Sequence, residues 1–503
     1  MSINGRFPRN RARFNLTHQH KLSCKDGLLV PCLCEQVLPG DKWKISSDVL
    51  IRMLPQLHPT MSRFKAYWWY FFVPYRLIFD KWEDFITGGK SGNDASVLPY
   101  VNAGTSGFAV SSLADYLGFP TGVANLNVSA LPFRAYDLIY NEFFRDENLI
   151  DELQISGLEG LDTVSNTTIQ RKAWRKDRFT NALPFAQRGN PVYLPLGAEA
   201  PVLTAGPEVT SLNFTSSSGG VSHAALTYDN SASVFASNRA PAEGRQDTKL
   251  VTDLSTTTAA SIDDVRQAFN MQNFSYMLGA FGYRYVEYLK SLFGTDAGDA
   301  RLQRPEFLGS GSTDILISEV LQTSSTDSTS PQGNMSGHGI GGGRGRFVQK
   351  RFKEHGLIMG IMSIIPDAEY MQGIRRQWLY ETRFDFYNPI FAHAGMQPVL
   401  NAELYAQGTD VDKQTFGFRN CFDELRSIPN YIHGEFRTSL INWTEARKFD
   451  ALPKLNKDFV ECKPSDRIFA VPDGDNWLVA MKHNITASRP VPKFGNPGFI
   501  DHY

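Results

Sequence analysis

The stretch "YWWYFFVPYRLIFDKW", Tyr67 to Trp82, constrains this chain more than any other: nine of its sixteen residues are Phe, Trp or Tyr. An aromatic surface of that size does not stay in water without aggregating. Pro74, Arg76, Asp80 and Lys81 interrupt it, so it is no membrane span of ~20 apolar residues. It demands a large core, and a chain of 503 residues, 42% hydrophobic, is long enough to supply one. A strand ending at Val73-Pro74 meets the demand, with one face in a barrel and the other under inserted helices. Burial against a neighbouring subunit is the alternative. Trp68, Trp69, Phe71 and Phe72 are therefore candidates for core or for interface.

The surrounding sequence sorts into elements. "GLLVPCLCEQVLPGD" and "KWKISSDVLIRML" precede the aromatic stretch, and the turn residues between them predict antiparallel strands. "LPFRAYDLIYNEFFRDENL" predicts a helix. Pro132 suits its first turn, and Tyr136, Ile139, Tyr140 and Phe143 recur at helical spacing. Tyr136, Tyr140, Phe143 and Phe144 join the core-or-interface candidates. A second helix is expected from Ser261, with Ser261 and Asp264 as a capping box, to Gly294. Gly279 and Gly282 weaken its middle. Residues 197–260 are rich in Ser, Thr, Ala and Gly, which predicts a surface protrusion or a disordered loop. "GLIMGIMSIIPD" and the region from Arg467 to Pro492 return to strand-like runs. Strands at both ends with helices and loops inserted between them point to a jelly-roll or Greek-key architecture rather than alternating βαβ units.

Charge and cysteine content narrow the function. The formal net charge is -1, so any contact with nucleic acid must be local. Residues 1–25 carry Arg6, Arg9, Arg11, Arg13, Lys21 and Lys25 and no acid. This predicts a basic arm, with a solvated disordered tail as the alternative. Five Cys in so long a chain form no disulfide framework and fit a reducing compartment. No apolar signal segment follows Met1.

Catalytic and ligand-binding motifs are weak. "GGKSG" at Gly88–Gly92 lacks the leading glycine of a phosphate loop, because Asp84 stands there. "GHGIGGGRGR", Gly337 to Arg346, reads as a flexible connector; the alternative is a linker whose Arg344 and Arg346 touch a nucleic-acid backbone. His18, His20, Cys24, Cys32 and Cys34 match no zinc spacing. Glu354 precedes His355, but nothing assembles a nucleophile, a base and an oxyanion site. No cofactor, no metal and no enzymatic activity are expected.

Eight blocks in order carry a resemblance over nearly the whole chain. They are "LVPCLCEQVLPGDKWKI", "YWWYFFVPYRLIFDKWEDFI", "LPFRAYDLIYNEFFRDENL", "RFTNALPFAQRG", "GDARLQRPEFLG", "FKEHGLIMGIMSIIPD", "YNPIFAHAGMQPVLNAELYAQG" and "NPGFIDHY". Together they resemble the major capsid protein of microviruses, nearest the gokushovirus branch of single-stranded DNA bacteriophages. The resemblance implies a mainly β fold with inserted α: an eight-stranded antiparallel viral jelly roll with large helical and loop insertions, spanning 26–503. It implies self-assembly into a T=1 icosahedral shell around a circular single-stranded DNA genome. It further implies an internal scaffolding protein during assembly, a small basic DNA-binding protein packaged with the genome, and a host receptor met by the 197–260 insertion at the threefold axes. Production in the bacterial cytoplasm and location in the virion follow. A carbohydrate-binding or carbohydrate-active jelly roll is the competing function.

Overall fold

Alternation of apolar and polar residues makes the strands. In "KWKISSDVLIRM" the side chains of Trp43, Ile45, Val49, Ile51 and Met53 turn inward and are buried, while Lys42, Lys44, Leu50 and Arg52 face out. The computed structural model describes residues 11–190, 262–282, 284–321 and 334–493. It also describes short pieces at 192, 202–204, 214–215, 221–222, 250–252, 323 and 332. The chain divides into two compact units, residues 1–188 with 278–503, and residues 189–277.

The first unit is built on a ten-stranded sheet. Its strands are β1 (Ala12–Asn15), β2 (His18–Cys24), β3 (Val30–Val37), β4 (Lys42–Met53), β5 (Phe64–Pro74), β6 (Glu306–Leu321), β7 (Met335–Arg344), β8 (Val348–Arg351), β9 (Gly356–Pro366) and β10 (Trp477–Arg489). The order is β1-β10-β4-β7-β6-β5-β9-β3, with β2 also on β10 and β8 also on β4. Every pairing in it is antiparallel. Because β1 and β2 share one edge of β10, and β7 and β8 share one edge of β4, the ten strands occupy eight lanes. The sheet curls until its ends meet. There His20 Nδ1 (2.7 Å) and His483 Nε2 (2.9 Å) both donate to the Cys32 carbonyl of β3. This is a mainly β jelly roll with insertions.

β5 and β9 are covered on both sides, so they read as continuous apolar runs. All eleven residues of β9 are buried. Inside the barrel, Trp68, Tyr70 and Phe72 pack with Trp43, Ile358 and Trp477. Outside it, Phe71, Val73, Leu357 and Met359 pack under helix α1 (Leu131–Ile139). Pro132 lies in the first turn of α1, and a π-helical turn, Tyr140–Phe144, extends it. That widening carries Phe143 to 4.8 Å from Phe71 and Phe144 to 5.0 Å from Trp69, ring centre to ring centre. Buried Arg134 of α1 bonds Asp162 at 2.7 Å and donates to the carbonyls of Ile78 and Leu158.

Several expectations change. The helix expected over 261–294 is two helices, α2 (Ile262–Phe281) and α3 (Tyr285–Phe293). Gly282 between them has φ 96°, a left-handed conformation that no helix interior accepts. Ser261 lies outside the described residues. The connector expected at Gly337–Arg346 is instead strand β7 up to Arg344. Its glycines are not there for flexibility: a Cβ on Gly339 would lie 2.9 Å from Met53 Cβ, and one on Gly343 2.7 Å from Thr313 Cβ. Of the arm expected over 1–25, residues 12–15 and 18–24 are sheet strands rather than a tail. Their pairing partner, β10, lies at the far end of the chain. The 197–260 insertion lies largely outside the described residues. Within it Val202–Thr204 pairs with Leu250–Thr252, and Phe214–Thr215 with Val221–Ser222.

Candidate assembly and nucleic-acid surfaces

Period-two geometry divides the aromatic strand into two chemistries. Trp68 is fully buried and faces inward, where glycines give its indole room. A Cβ on Gly311 would lie 2.4 Å from the ring, and one on Gly345 2.7 Å from Nε1. Phe71 and Phe72 are buried on opposite faces of β5. Tyr136 and Tyr140 are buried in α1 and its π-turn. The Tyr136 hydroxyl donates to Leu29 O and accepts from the Gln170 N–H, both at 2.9 Å. Phe143 and Phe144 are half-buried on the same surface. All of these aromatics lie in the core of the subunit itself or pack against it. Trp69 is likewise half-buried and packs against the same cluster, and Tyr67 stacks on it at 5.6 Å with the ring planes 8° apart.

The basic residues of the N-terminal region separate too. Arg6 and Arg9 lie outside the described residues. Arg11, Arg13 and Lys21 are exposed, the last two on β1 and β2. Lys25 is half-buried and pairs with Asp466 at 3.2 Å. Beside them His18 and His20 face His483, with ring centres 5.3 and 6.5 Å away. A carbonyl can only accept, so the His483 proton sits on Nε2 and Nδ1 accepts from Ser47 Oγ at 2.7 Å. Burial first, then the neighbouring His18, lowers the His483 pKa to about 4. Cys24 and Cys32 are buried and Cys34 is half-buried; all five cysteines are free. Among the described residues no group of three or more His, Cys, Asp or Glu is placed to hold a metal.

A cleft of about 840 Å³ opens on the outer face of β5 and β6. Tyr67, Trp69, Ser310 and Ser312 contribute to its walls, and in register Ser312 is opposite Tyr67 and Ser310 opposite Trp69. Lys172 and Arg175 enter from one segment. Arg344 enters from the end of β7, and Arg346 and Phe347 from the turn between β7 and β8. Nothing local in the sequence places Arg344 and Arg346 in one cleft with Trp69.

A second surface is apolar. Trp378 is 71% exposed and Ile390 84%, with Phe384, Phe386 and Tyr387 between them also exposed. The Tyr380 hydroxyl of this segment donates to Glu424 at 2.9 Å, which belongs to a buried ionic network: Arg178 with Glu424 at 3.5 Å and with Glu403 at 2.8 Å, Arg376 with Glu403 at 3.3 Å, and Arg419 with Asp423 at 2.9 Å. A large exposed apolar surface is the form of a contact made between molecules. Among the described residues no helix is long and apolar enough to cross a membrane.

Comparison with known proteins agrees with a shell-building role. The profile of the family described as "Capsid protein (F protein)" matches residues 6–499. The chain is 36% identical to capsid protein VP1 of Bdellovibrio phage phiMH2K, over 98% of its own length and 96% of that protein's. It is 32% identical to capsid protein VP1 of Chlamydia phage 1, over 97% and 95%. It is 31% identical to capsid protein VP1 of Spiroplasma virus 4, over 97% and 95%. With a jelly-roll barrel, an exposed apolar surface and a full-length match, the chain belongs to the capsid protein (F protein) family of bacteriophages, structural proteins of the virion rather than enzymes.

Proposed function

We propose that this capsid protein closes into a T=1 icosahedral shell around a circular single-stranded DNA genome, and that the 197–260 insertion projects at the threefold axes and engages a host receptor. The observation that carries the self-association is the exposed aromatic segment from Trp378 to Phe391, too apolar for a lasting free monomer. Copies meet there through heterologous contacts that close under rotation. Arg6, Arg9, Arg11, Arg13 and Lys21 neutralise phosphates of the genome, with Phe7 and Phe14 near them in the sequence to stack on bases, whereas Lys25 is already paired with Asp466. A net charge of -1 leaves most of the genome's charge to other carriers. This supports a small basic DNA-binding protein inside the shell, and an internal scaffolding protein serves assembly. The subunit is made in the host bacterial cytoplasm.

One experiment tests the reading. Particles from the full chain, from a chain shortened within 197–260, and from a chain with Arg6, Arg9, Arg11 and Arg13 replaced by Ala are imaged by electron cryo-microscopy, measured for DNA content and tested for adsorption to host cells. Uniform T=1 shells are expected from all three. Adsorption should fall only with the shortened insertion, and DNA content only with the replaced arm. Open sheets or tubes from the full chain would refute closure. Unchanged adsorption or unchanged DNA content would refute the corresponding role.

A further inference from the structure

Besides the aromatic segment from Trp378 to Phe391, the first unit exposes a second apolar surface of different chemistry. It is aliphatic: Leu158, 72% exposed, with Ile86, Val97, Leu98, Leu161 and Val164. The Glu159 carboxylate gathers the pieces of chain that carry it. It accepts from Lys81 Nζ at 2.8 Å, next to the short helix Trp82–Thr87, and from the Val97 N–H at 3.1 Å. An exposed apolar surface with a charged rim marks a contact between molecules.

The rims of the two surfaces carry opposite charge. Arg375 and Arg383 lie on the aromatic side, over the Tyr431 and Phe384 rings. Arg426 follows Phe422, against which Tyr387 packs at 5.2 Å. All three are exposed, and among the described residues none is ion-paired with a carboxylate. The acids beside them are occupied: Glu381 pairs with Lys413 at 3.0 Å, and Asp385 accepts the N–H groups of Glu381 and Thr382. On the aliphatic side Glu83 and Asp84 stand in the short helix, and Asp94 is tied to its end by a bond from its N–H to the Gly88 carbonyl at 3.0 Å. These three acids are exposed and, among the described residues, without an ion pair; Lys90 alone opposes them there. Either surface meeting its own copy sets like charges together, which is costly, whereas each meeting the other sets arginine against carboxylate. A cavity of about 380 Å³ opens in the aromatic surface, with Tyr380, Phe384, Phe391 and Phe422 in its walls. Contacts between proteins are anchored by side chains that fill such pockets, and Leu158 and Leu161 are free to do so.

We propose that the aromatic segment Trp378–Phe391 of one copy of this chain docks on the aliphatic surface around Leu158 of a second copy, a leucine filling the cavity and the arginine rim facing the acidic one. The contact is head-to-tail, so it passes from copy to copy and closes into a ring. It rests on the reading that copies meet at the aromatic segment, and it names what that segment meets.

The test follows assembly of the full chain by sedimentation velocity. Ile390→Asp and Leu158→Asp, one on each surface, should each weaken self-association about thirtyfold, the scale of a lost anchor. Both residues are exposed, so the fold survives their replacement, and equal melting temperatures verify it. In assembled particles, Ile390→Cys and Leu158→Cys placed in one chain and treated with a bis-maleimide linker should give a ladder of cross-linked oligomers. Either substitution alone should add nothing beyond the parent's pattern. Dimers from Ile390→Cys alone would show the aromatic segment meeting itself and overturn the proposal. Normal assembly of Leu158→Asp beside failed assembly of Ile390→Asp overturns the pairing and leaves the aromatic-segment reading standing. Normal assembly of Ile390→Asp overturns both.

Discussion

Arg134 shows how one residue can join two pieces of the fold. It sits in α1 with its side chain fully enclosed, faces Asp162 at 2.7 Å, and donates to Ile78 at the end of the aromatic stretch. Burial would push the Asp162 carboxyl up, but bonds from Ser165 and Arg134 hold it below its ordinary range. Removing the cation alone leaves a buried carboxylate without its partner. Arg134→Met is expected to cost about 3–5 kcal/mol, and Arg134→Met combined with Asp162→Leu distinctly less. Denaturation midpoints of the two variants check this; equal losses would show that the ion pair is not the cause. The sequence offered no route to this pair. An Arg on the buried face of an apolar helix reads as a solvated charge until Asp162 is placed against it.

At the scale of elements, legibility followed hydrophobic periodicity. Strand β5 was readable because its aromatics alternate between faces over a run ended by Pro74. Strand β7 was missed because glycine has no hydropathy to alternate. Its signal was of another kind: Gly337, Gly339, Gly341, Gly343 and Gly345 recur with period two, marking one face pressed against its neighbours. β1 and β2 were unreadable for a different reason, since their partner strand is the last of the sheet and no local pattern announces it. The cleft was hidden in the same way, being built from four segments far apart in the sequence. The glycines give a prediction. Gly311→Ala drives a methyl into the Trp68 indole and should cost about 1–3 kcal/mol. Gly342→Ala, on the exposed face with its nearest neighbour at 4.0 Å, should be within about 0.5 kcal/mol of neutral. Thermal melting of the two variants checks it, and equal shifts would refute the one-sided packing.

For the whole molecule, closure of the barrel carries a pH dependence. His483 has a pKa of about 4 in the folded chain against 6.5 when unfolded, so the unfolded state binds the proton first. Its stabilisation is complete above about pH 6.5 and is lost as pH falls toward 4, by up to about 3 kcal/mol. Buried Asp26 and Asp137, pushed up to about 7 and about 8 mainly by burial, act in the opposite direction and favour the fold as pH falls from 8 toward 4. A comparison with His483→Asn isolates the histidine, because Asn does not titrate. Above pH 6.5 the parent chain should be the more stable, and the gap should narrow between pH 6.5 and 4. A constant gap would show that His483 does not titrate against folding. The place of β10 in the sheet order has one more consequence, which concerns synthesis. β10 lies between β2 and β4, yet it leaves the ribosome some 420 residues after β4 does. At about 5–20 residues per second, β4 waits on the order of half a minute with one edge open. A nascent subunit therefore cannot complete its barrel, and with it the surfaces a neighbour would recognise, until translation is nearly finished.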